Sequence, residues 1–282
     1  MGHTDRIDCC AESSAEYLVG KGPDLARFVR SVVRSIELAG LLAYGTLELV
    51  VKRPATRQQR AEWLHQFCAR AMAAMDIAVR VEGRFPERGA LISNHQGYLD
   101  IMTLAALHRV VFVSKSELQE IPLLGWMTTM AGTVYVERGR GGSALRARSG
   151  LLGAEEAKIP VVFFPEGTTS NGATVAKFHS GILAQLLEAE EPVTAAYVRY
   201  RLTEDNGPGI TIGDDLCYWG DEVQLFPHIF RLLGIRGIEV TVRIAEAPIP
   251  FSADAEHRKL AAEEARAAVM ELGGVSEPAP VG

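Results

Sequence analysis

Residues 90–100, Ala90-Leu91-Ile92-Ser93-Asn94-His95-Gln96-Gly97-Tyr98-Leu99-Asp100, pass from a short apolar stretch through a polar turn into an apolar helix. A run this short and uncharged reads as a strand covered on both faces. His95 and Asp100 are separated by four residues, a spacing that puts them on different faces of a continuous strand or a continuous helix. They meet only across a turn, and Gly97 makes such a turn easy. Two readings follow. Asp100 holds one imidazole nitrogen of His95, fixes its tautomer and leaves the other nitrogen as a general base. Alternatively, Asp100 merely complements a helix terminus and His95 is a loop histidine.

Working outward, a second buried strand, Val161-Val162-Phe163-Phe164-Pro165, feeds Glu166-Gly167-Thr168-Thr169-Ser170-Asn171-Gly172. This edge offers a carboxylate, hydroxyls and glycines suited to hydrogen-bonding a polar headgroup, or it is an ordinary Thr/Ser/Asn/Gly turn. A third strand, 133–136, ends in Glu137-Arg138-Gly139-Arg140, where Arg138 or Arg140 can make paired bonds to phosphate or sit in a solvated basic loop. Further strands are expected at 77–81, 110–114, 193–200, 210–212 and 238–244. Helices are expected between them at 99–107, 122–130, 143–158, 178–189, 222–233 and 254–272. Such alternation predicts an α/β fold, a mixed, largely parallel sheet covered by helices, with sites beyond the carboxyl ends of strands.

The composition leaves room for one large catalytic domain with an accessory segment. The chain has 282 residues, 48% hydrophobic and 23% charged, which fits neither disorder nor a multi-span membrane protein. A net charge of −6 argues against nucleic acid as a partner. Cys9, Cys10, Cys68 and Cys217 form no C-x-x-C pair, which favours a reducing compartment. The first residues lack the apolar core of a cleaved signal, and Arg6 breaks the myristoylation pattern. No histidine spacing implies a metal.

Four segments are expected: a flexible N-terminus (1–23), a two-helix segment (24–75), a catalytic domain (76–272) and a flexible tail (273–282). In the first helix Arg27, Arg30 and Arg34 share a face opposite Phe28, Val29, Val32, Val33 and Ile36. The uncharged run 38–47 is too short to span a bilayer, for which about 20 apolar residues are needed. A helical hairpin lying on or dipping into one leaflet, its basic residues facing anionic lipid, is one reading; a pair of core helices is the other.

The three strand ends together resemble the glycerolipid acyltransferase family, best known for 1-acylglycerol-3-phosphate acyltransferases. Asn94 to Asp100 matches its first motif, Val136 to Gly142 its second, Phe164 to Gly172 its third, and Pro192 to Ala195 its fourth loosely; Lys115 to Met127 between them also fits, and the N-terminal helix pair looks like the membrane-dipping helices of bacterial members. The resemblance covers about residues 77–250 and implies that His95 deprotonates the acceptor's hydroxyl while Asp100 orients it. The acceptor or the motif loop would be held by Asn94, Lys115, Arg138, Glu166, Gly167, Thr168 and Thr169. The implied acceptor is lysophosphatidic acid, acylated at its free hydroxyl to phosphatidic acid. The implied donor is acyl-CoA or acyl carrier protein, with no cofactor. The implied location is monotopic on a phospholipid membrane, the cytoplasmic face of a bacterial inner membrane. One departure stands out: Thr169 follows Glu166-Gly167-Thr168 where the family usually has arginine. It keeps open another lyso-lipid, such as lysophosphatidylcholine, lysophosphatidylethanolamine or a lyso-aminolipid; a non-catalytic lipid-binding membrane protein is the alternative outside enzymes.

Overall fold

The computed structural model describes residues 25–115, 124–136, 158–220, 223–252 and 257–276. Among the described residues seven strands form one sheet: β1 (Ile77–Glu82), β2 (Ala90–Ile92), β3 (Val111–Lys115), β4 (Val134–Val136), β5 (Val161–Phe163), β6 (Val193–Leu202) and β7 (Ile238–Ile244), in the order β1-β7-β6-β2-β5-β3-β4. All neighbours are parallel except β6 and β7. Side chains alternate across each strand, so every apolar run splits between two cores. Leu91, Phe112, Val162, Val198 and Tyr200 enter one; Ala90, Ile92, Val161, Phe163, Ala195 and Tyr197 enter the other.

The first core is covered by α2 (Arg57–Ala74), α3 (Tyr98–Leu107) and the apolar inner side of a later helix, Leu225–Leu233. The second is covered by the helices Ser180–Glu188 and Arg258–Gly273. In chain order the helices of the described residues are α1 (Leu25–Lys52), α2, α3, α4 (Leu124–Met130), α5 (Ser180–Glu188), α6 (Ile212–Asp215), α7 (Leu225–Leu233) and α8 (Arg258–Gly273). The sheet register places the site. Ile92 pairs with Phe163 on one side and Ala195 on the other, so β2 and β5 end level while β6 runs on beyond them, and the loops after β2 and β5 leave the same edge side by side.

Three expectations change. Residues 210–212 are not a strand: the Thr211 hydroxyl accepts from the Asp214 backbone N–H at 3.0 Å and starts the short α6 instead. Residues 273–276, expected in the flexible tail, are instead part of the packed domain, because α8 runs through Gly273 and Val275 packs against the second core, while 277–282 lie outside the described residues. Arg27, Arg30 and Arg34 turn inward rather than toward lipid. Arg30 Nε donates to Gly234 O at 3.1 Å, Arg34 to Ile235 O at 2.7 Å and to Asp76 at 2.8 Å, and Arg27 lies 3.6 Å from Asp215. The Arg30 and Arg34 guanidinium groups satisfy carbonyls left open at the C-terminal end of α7. With its basic side inward, α1 exposes Leu25, Phe28, Val29, Val33, Ile36, Tyr44, Leu47, Val50 and Val51. The second helix of the pair behaves differently: α2 buries Ala61, Trp63, Cys68, Ala71 and Met72 against the domain. Residues 1–24, Arg138, Arg140 and most of the helix expected at 143–158 lie outside the described residues.

Candidate active site

His95 and Asp100 meet across the turn. His95 Nδ1 lies 2.9 Å from Asp100 Oδ2, with Asp100 fully buried and the imidazole slightly open. The same oxygen accepts the backbone N–H of Gln96 at 2.5 Å and of Gly97 at 3.0 Å, so the carboxylate folds the loop back on itself at the start of α3. Its other oxygen, Oδ1, accepts the hydroxyl of Tyr200 on β6. Burial, with the Asp100 charge adding to it, pushes the Tyr200 phenol well above its usual range, so Tyr200 stays a donor. An ionised carboxylate only accepts, so Nδ1 carries the proton and Nε2 is left as the basic nitrogen. The ring is stacked on Phe164, centroids 3.9 Å apart and planes 11° from parallel, which fixes its tilt. Gly97 is required here by close approach: a Cβ would sit 2.9 Å from the backbone nitrogen of Tyr218.

Glu166, three residues past the end of β5, ties the two loops together. Its Oε1 accepts the His95 backbone N–H at 2.7 Å and its Oε2 the Ala176 N–H at 2.7 Å. Burial pushes its carboxyl up, opposed by those two backbone donors, which favour the charged form. The Ser170 N–H returns the connection by donating to His95 O at 3.0 Å. Arg266 of α8 then braces the far side, donating to Val175 O at 2.8 Å and Ala176 O at 3.1 Å.

The residues singled out in the sequence fall into different roles. Asn94 is a strut, its amide oxygen accepting from Val198 N at 2.8 Å and its amide nitrogen donating to Val198 O at 3.0 Å, which extends the β2–β6 pairing beyond the end of β2. That use of both atoms, in a buried side chain, takes it out of contact with an acceptor. Glu166 likewise holds the motif loop, through both of its oxygens. Gly167 takes the left-handed turn at φ 61° that follows it. Thr168 is exposed and Thr169 half-buried on the same loop. Lys115 ends β3, and Arg138 lies outside the described residues. Among the described residues no three His, Cys, Asp or Glu side chains converge as a metal-binding group.

Sequence reading missed Tyr200, Gln96 and a buried triad beside the loop. The Gln96 amide nitrogen donates to Val198 O at 2.8 Å. Tyr98 Oη donates to His228 Nδ1 at 2.9 Å, while His228 Nε2–H donates to Cys217 O at 2.9 Å. The carbonyl can only accept, which fixes that tautomer. The one signal for Tyr200 is its parity: it shares the inward face of β6 with Ala196 and Val198.

Known proteins place this geometry. The family model described as Acyltransferase matches residues 76–199. The chain is 34% identical over 265 residues to a lyso-ornithine lipid O-acyltransferase of Pseudomonas aeruginosa, covering 89% of this chain and 96% of the relative. It is 32% identical over 133 residues to a 1-acyl-sn-glycerol-3-phosphate acyltransferase of Neisseria gonorrhoeae, covering 46% of this chain and 52% of the relative. The crystal structure of the 1-acyl-sn-glycerophosphate acyltransferase of Thermotoga maritima shares the fold with a TM-score of 0.62 at 19% identity, over 90% of this chain and 99% of that one. The arrangement of motifs along the sheet edge and a likeness that runs nearly end to end lead to one conclusion: the chain belongs to the acyltransferase family, as an acyltransferase of the lysophospholipid type.

Proposed function

We propose that the protein transfers a fatty acyl group from an acyl thioester, acyl-CoA or acyl carrier protein, to the free hydroxyl of a lyso-lipid, with His95 as general base and Asp100 as its orienting carboxylate. The 2.9 Å contact between His95 Nδ1 and Asp100 carries this reading. Nε2 takes the hydroxyl proton as the acceptor oxygen attacks the thioester carbonyl, and the tetrahedral intermediate then expels the thiolate, which takes the proton back from Nε2. The proton and acyl group balance with no acyl-enzyme and no cofactor.

For the acceptor we favour lyso-ornithine lipid. The near full-length likeness to the Pseudomonas enzyme supports it, whereas the Neisseria relative matches over about half its length. Thr169 fits as well. An ornithine headgroup carries an ammonium and a carboxylate but no dianionic phosphate, and so makes less demand for the arginine expected there. Lysophosphatidic acid, the acceptor expected from the motifs, is the second reading, supported by the Neisseria relative across the motif region. We place the enzyme as a monotopic protein on the cytoplasmic face of a bacterial inner membrane. The outward apolar stripe of α1 supports this, and no helix of the described residues is long and apolar enough to cross a membrane.

The test incubates purified protein and His95→Ala with labelled acyl-CoA or acyl carrier protein and either acceptor in mixed micelles. The expected result is labelled ornithine lipid in preference to phosphatidic acid, and a loss of about 10²- to 10⁴-fold for the variant. Near-normal turnover by His95→Ala sinks the mechanism; preference for lysophosphatidic acid sinks the acceptor assignment alone.

A further inference from the structure

The first turn of α7 is apolar on a side that the core leaves open. Phe226 is 78% exposed, although His228, Leu232 and Leu233 of the same helix are buried. Phe226 and Phe230 are one helical turn apart and share a face. Phe230 meets Phe28 of α1 edge-on, with ring centroids 5.8 Å apart. Phe28 belongs to the exposed stripe of α1, so that apolar surface continues from α1 onto α7. The opposite side of α7 holds His228, which accepts from Tyr98, the residue after the Gly97 that closes the His95 loop. This short helix therefore stands between the exposed stripe and the catalytic loop.

We propose that Phe226 and the first turn of α7 form a second lipid contact beside α1, so that one bilayer surface lies against both and the His95 loop is held close to it. The inference rests on the lyso-lipid reading above, since such an acceptor is itself a bilayer component. Charge argues for a bilayer as the occupant. The arginines of α1 are turned inward, the middle of the stripe carries no charge along roughly 40 Å of helix, and Glu37 sits at its margin. Lys52, which also pairs with Glu48 at 2.9 Å, and Arg53 at the end of α1, with Arg231 on α7, are exposed bases on the same two helices and are open to anionic headgroups. An amphipathic face with aromatic and aliphatic groups and a basic border is the pattern of an interfacial helix.

The test uses the full chain and vesicles of phosphatidylethanolamine and phosphatidylglycerol, without donor or acceptor, so its outcome does not depend on the reaction. Phe226→Glu, and Val33→Glu on the α1 stripe, should each weaken vesicle co-sedimentation by about tenfold with little change in melting temperature. Phe226→Ser serves as the milder change. The proposal is overturned if both Phe226 variants sediment with vesicles as the wild type does. It is also overturned if the wild type is a dimer in solution that Phe226→Glu converts to monomer, which would show that a second copy covers this face.

Discussion

Tyr200→Phe removes one hydroxyl and keeps the ring, so it isolates the bond to Asp100 Oδ1. A hydrogen bond to a charged group contributes about 1.5–3 kcal/mol net, and here the oxygen it leaves is fully buried. We take about 2 kcal/mol. For a chain of this size each kcal/mol moves the melting temperature by about 2–4 °C, so the variant should melt about 4–8 °C lower. If all of that energy were felt in the transition state, kcat would fall about 30-fold. The three remaining donors, Gln96 N, Gly97 N and His95 Nδ1, all hold Oδ2, so the carboxylate stays near its place but can rotate. The expected loss in kcat is therefore about tenfold, with KM within about twofold because Tyr200 is buried and meets Asp100 on the oxygen that His95 does not use.

Steady-state turnover with saturating donor gives kcat and KM separately, and calorimetry gives the melting temperature. A double-mutant cycle with Asp100→Asn then tells a structural role from a positioning role. If Tyr200 acts through Asp100, the double variant loses much less than the product of the single losses. A Tyr200→Phe enzyme that melts lower yet keeps kcat within twofold refutes the argument, as do losses that simply multiply.

Glu166→Gln keeps the size of the side chain but replaces one accepting oxygen with an NH2 group, which cannot accept, so one of the His95 and Ala176 N–H groups loses its partner. It should destabilise the protein by about 1–3 kcal/mol and lower kcat more than it raises KM; a variant with normal stability in urea titration would show that the two loops do not depend on this bridge. His228 gives a pH prediction. Burial holds its imidazole below the usual 6.5, so the folded state favours the neutral ring. Its contribution to stability is complete above about pH 6.5 and is lost as pH falls from there through the lowered folded value. The urea midpoint should therefore drop between pH 7.5 and 5.5, and His228→Gln should show a smaller drop; equal slopes in the two proteins would exclude His228 as the source.

The strand ends were legible because each announces itself locally: apolar residues, then glycine and polar residues, at 90–97 and at 161–172. What they could not announce is register. That β2 lies between β5 and β6 with Ile92 level with Phe163 and Ala195 is a property of pairing, and it alone explains why Glu166 reaches the His95 backbone. Tyr200 is 100 residues from the carboxylate it holds, so no local spacing points to it. Asn94 shows the converse difficulty. An amide at a strand end suits an acceptor's polar group and suits the open backbone of the next strand equally well, and only the neighbouring strand decides between them. The polarity of α1 was ambiguous for the same reason. Periodicity divides a helix into two faces without saying which one turns inward, and the carbonyls that draw Arg30 and Arg34 inward lie about 200 residues away, at the end of α7. Once those carbonyls take the arginines, the apolar face has only the outside left. The same contacts that close the C-terminal end of α7 thus create the surface that its first turn extends.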